Sequence, residues 1–220
     1  EADWIWVSDD DAYLKDDALK QASDYLEEQP DLDKISAICG KVIKNGKMDI
    51  NHGKYYYKKG IRICEASIPA EMYEKKEFEM GSFTYVGTIM NKKKLLEAGL
   101  PNKDYFIYWD DLEHGIRMRK AGKIIGVPGI VAYHDVGEEG SGINWKLYYS
   151  YRNMIDTYRK HFSGVCYDYF CLKIRVKIFL NHMTGHKKLE LNILEEAFKN
   201  ARQQKFGLHP VYRPGWKPGE

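Results

Sequence analysis

The chain has 220 residues, of which 44% are hydrophobic and 14% are aromatic. This composition supplies a core for one domain with an appendage and excludes a disordered chain, and the 19 glycines and seven prolines lack a collagen-like period. Thirty-four lysines and arginines against 32 acidic residues give a net charge of +2 with interspersed signs, so we expect no nucleic-acid partner.

The first third of the sequence alternates between strand and helix patterns. The predicted elements are a strand at 4–7, a helix from a cap at Asp16 or Asp17 to about 28, a strand at 34–44 and short strands over 47–80. Leu19, Ala22 and Leu26 form the apolar face of the helix, which ends at Pro30. Asn45-Gly46 predicts a hairpin turn after the second long strand.

The rest of the chain changes from α/β patterns to long helices. The predicted elements are a strand at 83–90, a short helix capped by Asn91, an extended segment at 104–109, a helix at 110–121, strands at 123–127 and 130–134, helices at 144–162, 166–183 and 187–206, and an irregular tail after 207. We therefore expect an α/β body at 1–140 and a helical appendage at 141–220.

The cysteines and the hydropathy pattern indicate an intracellular protein. The four cysteines form no CxxC pair, and we interpret them as reduced thiols rather than disulfides or a zinc site. The longest apolar run, 124–133, contains glycine and proline and is too short to span a membrane. No signal peptide is visible.

Three adjacent carboxylates, Asp9–Asp11, follow the first predicted strand. Asp9 and Asp11 occupy alternate positions, so both can face one way and hold a hard divalent cation, which neutralises a diphosphate. The alternative is a solvated acidic turn before a helix. An EF-hand is excluded, because Leu14 and Lys20 occupy the positions that require Gly and Glu.

A second acidic group, Trp109-Asp110-Asp111-Leu112-Glu113, opens the helix at 110–121. Capping of the helix explains one or two of its carboxylates. It does not explain the aromatic run 105–109 that precedes them. An aromatic ring beside carboxylates suits a sugar, because the ring stacks on the apolar face and the carboxylates bind hydroxyl groups.

A third candidate is His134, at the end of the apolar strand 130–134. A lone histidine there is commonly a structural residue. Together with two aspartates at one sheet edge, it would complete a nitrogen and oxygen ligand set suited to manganese or magnesium.

Taken together, these motifs resemble the inverting family 2 glycosyltransferases with a GT-A fold, in particular the bacterial galactofuranosyl- and rhamnosyltransferase-type members. The matching segments are DDDA at 9–12, YVGTIMN at 85–91, GLPNKDYFIYWDDLEHGIRMRKAG at 99–122, VAYH at 131–134, YSYRN at 149–153 and AFKNARQQKFG at 197–207. The resemblance covers almost the whole chain. It implies the C-terminal portion of a GT-A mixed sheet, followed by helices.

The resemblance also implies a role for each candidate residue. Asp9, Asp11 and His134 match the metal ligands, for Mn²⁺ or Mg²⁺. Asp111 matches the general base, which takes the proton of an acceptor hydroxyl during a single displacement with inversion. Asp110 belongs to the same catalytic pair. The expected substrate-binding residues are Asp10, Trp109 and Glu113.

The activity that the resemblance implies is transfer from a nucleotide sugar of the UDP-galactofuranose or dTDP-rhamnose type to a saccharide or lipid-linked saccharide. This reaction belongs to bacterial surface or cell-wall polysaccharide synthesis, in the cytoplasm or at the inner face of the cell membrane. The motifs of the family's upstream nucleotide-binding half are absent from these 220 residues. We therefore expect the chain alone to bind donor nucleotide poorly and to be inactive, and strand 4–7 to offer an edge for self-association.

Three alternatives remain open at this point. The chain could be a non-catalytic carbohydrate-binding or assembly module that retains the acceptor site. A metal-dependent hydrolase or nuclease could use the same acids, although no basic phosphate-binding cluster is visible. The basic and apolar helix around 173–188 either packs with its lysines outward or rests on an anionic membrane surface.

Overall fold

The computed structural model describes residues 2–137, 142–162, 164–183 and 188–218 of the chain. The strands are β1 (Trp4–Val7), β2 (Ala12–Leu14), β3 (Ile35–Lys44), β4 (Lys47–Met48), β5 (Gly53–Lys59), β6 (Arg62–Ser67), β7 (Phe78–Met80), β8 (Ser82–Phe83), β9 (Thr88–Asn91) and β10 (Lys123–His134). The helices are α1 (Ala18–Glu27), α2 (Lys92–Ala98), α3 (Asp110–Ala121), α4 (Lys146–His161), α5 (Gly164–Met183) and α6 (Leu189–Arg202).

The backbone divides into two units. The first contains Glu1–Tyr56, Glu65–Pro101 and Asp111–Glu139, and the second contains Tyr57–Cys64, Asn102–Asp110 and Gly140–Glu220. The boundary that we expect between residues 140 and 141 lies outside the described residues.

The first unit is built on a mixed sheet whose main strand order is β1-β9-β3-β10-β2. Strand β9 is antiparallel to both β1 and β3, and β3 is parallel to β10. Strands β1, β3 and β10 therefore run in the same direction, and their carboxyl ends lie at one edge of the sheet. This edge is where open α/β sheets place their ligands.

Apolar side chains on both faces of the sheet bind helices to it. Ile124 packs in a cluster with Met118 of α3 and Leu95 of α2. Its neighbour Ile125 points the other way, as alternation in a strand requires, and packs in a cluster with Ala22 of α1. Burying an isoleucine side chain contributes about 2 kcal/mol. The expected class, a mixed α/β sheet followed by helices, is confirmed.

Two predicted strands differ from the structure. The expected strand 83–90 is interrupted between β8 and β9, because Gly87 has a positive φ of 68° and a turn joins the Thr88 N–H to the Tyr85 carbonyl. The two strands expected around the Pro-Gly turn are one strand, β10. A shift in its register between Gly126 and Val131 accommodates Pro128, as an irregularity in a ladder can.

The second unit consists mainly of α4, α5 and α6. The apolar stripe predicted on α4 is buried at Tyr148, Ile155 and Tyr158, and Ile155 packs with residues of α5 and α6. Among the described residues, no helix has the length and hydrophobicity of a transmembrane segment.

Glycine 126 allows β7 to lie against β10. A Cβ atom at Gly126 would be 2.5 Å from the ring of buried Phe78, whereas one at Gly129 would be 3.7 Å from the Gln21 side chain. We predict that Gly126→Ala lowers the free energy of unfolding by about 1–3 kcal/mol, because the rigid ring must move. The matched Gly129→Ala variant should change it by less than about 1 kcal/mol. Urea denaturation measures both, and equal effects would contradict this packing.

Candidate functional site

The acidic turn Asp9–Asp11 connects β1 to β2 across the carboxyl edge of the sheet. The Ala12 N–H donates to the Asp9 carbonyl at 3.3 Å, which closes the turn. Strand β2 then pairs antiparallel with the end of β10, where Ala12 lies opposite His134. The pairing brings the turn beside the imidazole, although His134 lies 123 positions after Asp11 in the sequence.

The structure brings Asp9, Asp11 and His134 together. Their potential ligand atoms all lie within 4.8 Å of one another, and His134 Nε2 is 3.2 Å from Asp11 Oδ1. Both aspartates are exposed and His134 is half-buried, so a cation could reach them from solvent. Two carboxylates and one imidazole fit manganese or magnesium. Asp10 is exposed at the tip of the same turn.

A buried histidine that sequence reasoning missed, His52, supports this edge. Its Nδ1 is 2.6 Å from Thr84 Oγ1, and its carbonyl accepts from the Thr84 N–H at 2.8 Å. Burial lowers the pKa of His52 to about 4, and repulsion from His134 adds to the effect. The segment around His52 contains no functional motif, so the sequence offered no signal for it.

The other acidic group of the first unit lies in the first turn of α3. Asp111 is half-buried, and its Oδ1 accepts a hydrogen bond from the Leu112 N–H at 2.6 Å. Glu113 is only 3% exposed, and both of its oxygens accept from Arg117 Nε, at 3.1 and 3.0 Å. Arg117 also donates to the carbonyl of Gly99 at the end of α2. Glu113 therefore joins α3 to α2 through this arginine.

Segment 82–88 connects the start of α3 with the end of β10. The Tyr85 hydroxyl lies 3.1 Å from His114 Nδ1 in α3. Two residues later, Gly87 passes so close to β10 that an added Cβ would be 3.0 Å from the Ala132 side chain. One short piece of chain thus contacts both the helix that carries Asp111 and the strand that carries His134. Burial, with a contribution from Arg117, lowers the pKa of His114 to about 4.

The aromatic segment of the second unit is not extended as predicted. A 3-10 turn at Lys103–Tyr105 is followed by positive φ angles of 66°, 63° and 69° at Phe106, Tyr108 and Trp109. Bulky residues rarely adopt this conformation, which costs on the order of 1 kcal/mol or more each. Other groups must therefore hold the segment.

Helix α4 supplies those groups. The Asn153 side-chain amide donates to the carbonyls of Tyr105, Ile107 and Tyr108 at 3.0, 3.0 and 2.8 Å. Arg152, which is 1% exposed, donates to the Tyr105 carbonyl at 3.1 Å. Sequence reasoning assigned no role to these two residues. Their signal was the YSYRN motif, which entered only through the family resemblance.

The held segment presents some rings and buries others. Trp109 is 8% exposed and packs edge-on against Tyr158, with ring centres 5.8 Å apart. Tyr108 and Phe106 are 40% and 49% exposed, and Lys146 Nζ lies over the Tyr108 ring, 5.8 Å from its centre. Asp110, the last residue of this segment, is half-buried and begins α3.

The mixed sheet with helices on both faces is a glycosyltransferase fold of the GT-A type, as the sequence resemblance implies. A structure of this type, GalNAc-T7 determined with UDP, GalNAc and Mn²⁺, matches with a TM-score of 0.54 at 11% identity. The match covers 92% of this chain and 40% of the GalNAc-T7 chain. At this identity, the match establishes the fold.

Among sequences, the chain is distantly homologous to the galactofuranosyltransferase GlfT2 of Mycolicibacterium smegmatis (strain ATCC 700084 / mc(2)155). The two are 26% identical over 117 residues, which covers 44% of this chain and 18% of GlfT2. The chain thus spans less than half the length of either relative. Together, the fold match and the sequence match show that the chain is glycosyltransferase-like. No protein-family model matches it.

The two buried histidines predict a loss of stability in acid. The unfolded chain protonates them near pH 6.5, whereas the folded chain stays neutral down to about pH 4. Protons therefore bind the unfolded state first, and the free energy of unfolding should fall between these values, by about 2 kcal/mol per histidine at pH 5.

Urea denaturation at pH 7.5 and pH 5 measures this loss. Asparagine at position 52 or 114 keeps a polar atom near Nδ1 but cannot be protonated, so His52→Asn and His114→Asn should each lose less stability on acidification than the wild type. His182→Gln, which removes an exposed imidazole, is the control. An acid-induced loss in both asparagine variants as large as in the wild type would contradict the assignment.

Proposed function

We propose that the chain contributes the metal and acceptor sites to metal-dependent glycosyl transfer with inversion, from a nucleotide-sugar donor to a saccharide or lipid-linked saccharide acceptor. The main support is the cluster of Asp9, Asp11 and His134 at the carboxyl edge of a GT-A sheet. These three side chains would hold Mn²⁺ or Mg²⁺. When bound, the cation supplies positive charge that offsets the charge of a donor diphosphate.

In this proposal Asp111 is the general base. Its carboxylate takes the proton of the acceptor hydroxyl while that oxygen forms a bond to the anomeric carbon. The bond from the anomeric carbon to the diphosphate oxygen breaks on the opposite face, and the nucleoside diphosphate leaves with the electron pair. Attack opposite the leaving group inverts the anomeric centre. A carboxylate suffices because the proton is transferred late, as the new bond forms.

The acceptor residues follow from the motif and from exposure. Asp110 and Asp10 would accept hydrogen bonds from sugar hydroxyl groups. Tyr108, rather than the buried Trp109, presents a ring on which an apolar sugar face could stack. In this proposal Trp109 and Glu113 position the acceptor group indirectly, through Tyr158 and Arg117.

The donor class in this proposal is UDP-galactofuranose or dTDP-rhamnose, for synthesis of a bacterial surface polysaccharide. Support for it comes from the homology to a galactofuranosyltransferase and from the WDD and DDD motifs. A donor screen on the full-length gene product that contains this chain tests the class.

A second candidate is a carbohydrate-binding module without catalysis. It is supported by the two exposed rings on the rigid segment held by Asn153, which could bind a saccharide without any reaction. Both candidates need the same acceptor contacts. They differ only in the requirement for Asp111.

The Asp111→Asn variant of the full-length gene product distinguishes the two. Loss of the base should lower turnover by about two to four powers of ten with little change in acceptor affinity. Asp16→Asn, an exposed acid outside the motifs, is the matched control. If turnover survives in Asp111→Asn, this residue is not the base; if only acceptor affinity falls and no turnover is found in the wild type, the binding module is correct.

Metal binding can be measured on the chain itself. We predict that Mn²⁺ titrates into one site by calorimetry and that Asp11→Asn weakens its affinity at least about tenfold, because one of three ligands is lost. Asp16→Asn should bind like the wild type. The same affinity in Asp11→Asn and the wild type would remove the cation from the proposal.

A further inference from the structure

Helix α5 is apolar on two opposite sides. Ile174 and Cys171 on one side are buried in the core of the second unit with α4 and α6. The other side carries an exposed row that repeats every three or four residues, which we call the α5 stripe. Its members are 48–69% exposed: Val165, Leu172, Val176, Phe179, Leu180 and Met183. An apolar row this long on a helix surface commonly marks an interaction site.

Positive charge lies on both sides of the α5 stripe. Lys173 and Lys177 follow one side, and Arg175 lies on the other, where one exposed acid, Asp168, precedes it by two turns. Among the described residues, none of these three cations forms an ion pair. Lys187, which belongs to the basic segment 173–188, lies outside the described residues.

A groove of about 640 Å³ beside Phe179 extends the basic side onto α6. The residues that line it include the cations Arg175, Lys199 and Arg202 and the apolar side chains of Phe179 and Phe198. Lys199 is paired with Glu196 at 3.7 Å, and Glu195, the one acid that lines the groove, is paired with His182 at 2.8 Å. Apolar side chains beside the two arginines suit an anionic headgroup with its alkyl chain.

We propose that the α5 stripe and its flanking cations dock on an anionic lipid surface, with the helix parallel to the membrane plane. The apolar row would enter the acyl boundary while the lysines and arginines contact anionic headgroups, as in interfacial helices. Charge argues against a second copy of the chain as the partner. A two-fold contact through the stripe would bring three cations and only one acid, Asp168, from each copy together, so the net interaction between the copies would be repulsive.

Sedimentation with vesicles tests the proposal. Full chain is mixed with vesicles of phosphatidylcholine alone or with 30% phosphatidylglycerol, a mixture chosen for its charge. We expect several-fold more protein to pellet with the anionic vesicles, and less as salt is raised. Equal pelleting with both vesicle types, or none, would overturn the proposal.

Charge reversal distinguishes vesicle binding by the α5 stripe from non-specific attraction of the chain's lysines and arginines to the vesicle. Lys173→Glu/Lys177→Glu should weaken vesicle binding at least about 25-fold, since each lysine near the surface contributes about fivefold. Lys58→Glu/Lys59→Glu reverses two exposed lysines of β5 and should weaken it far less. Equal weakening by the two pairs would show non-specific attraction and reject the stripe.

Polar replacement tests the apolar row. Val176→Ser/Phe179→Ser should reduce binding at least about tenfold, because two groups that enter the acyl boundary are lost. Leu96→Ser/Leu100→Ser, at exposed positions of the first unit, should bind like the wild type. If the wild-type chain forms a dimer without vesicles and Val176→Ser/Phe179→Ser dissociates that dimer, the partner of the α5 stripe is a second copy of the chain and not lipid. Asp111→Asn should bind vesicles normally, so failure of glycosyl transfer and failure of docking are separable.

Discussion

The pairing of β2 with the last three residues of β10 is the interaction on which the candidate site depends. Three carboxylates in a row repel one another, and nothing in their own sequence holds them near a histidine. The antiparallel ladder does so, because it sets Ala12 opposite His134. Stacking of Tyr13 on Tyr133, with ring centres 5.1 Å apart, adds on the order of 0.5 kcal/mol to this ladder. A strand of three residues thereby decides whether the acids form a ligand set or a solvated turn.

In the second unit, buried side chains of α4 rather than a strand ladder hold the aromatic segment 105–109 in place. Three aromatic residues with positive φ angles would relax to extended backbone in a free peptide. One amide, that of Asn153, donates to three carbonyls of this segment, those of Tyr105, Ile107 and Tyr108, and so offsets the strain. Because Asn153 and Arg152 are buried on a long helix, the segment is rigid before any ligand arrives. Such preorganisation lowers the entropy cost of binding a sugar.

The sequence predicted those parts of the candidate site that follow from local pattern. Asp9, Asp11 and His134 each end or follow an apolar strand, and strand ends meet at one edge, so their proximity could be expected before any coordinates. Asp111 carried a weaker signal, because capping explains an aspartate at a helix start and only the aromatic run before it indicated a sugar site. Its role as the general base came only from the family resemblance.

What the sequence did not predict depends on contacts between distant residues. The sequence of residues 105–109 predicts an extended backbone, because tyrosine and tryptophan favour strands. The side-chain amide that overrides this preference belongs to Asn153, about 45 residues later. His52 lies among short strands without a motif, and only the fold brings it within electrostatic range of His134. The second apolar side of α5 is similar: the sequence left open whether this basic and apolar helix packs on the protein or rests on a membrane, and only the structure shows which side stays exposed.

Docking on a membrane and transfer of sugar are physically independent here, yet each would gain from the other. The cation ligands and Asp111 belong to the first unit, whereas the α5 stripe belongs to the second. If the acceptor is lipid-linked, a protein held at the same surface meets it in two dimensions, and the effective acceptor concentration rises without any new contact to the sugar. The Val176→Ser/Phe179→Ser variant should then have a higher KM for a lipid-linked acceptor and an unchanged kcat for a short soluble acceptor. A purely structural role of α5 would lower both activities together.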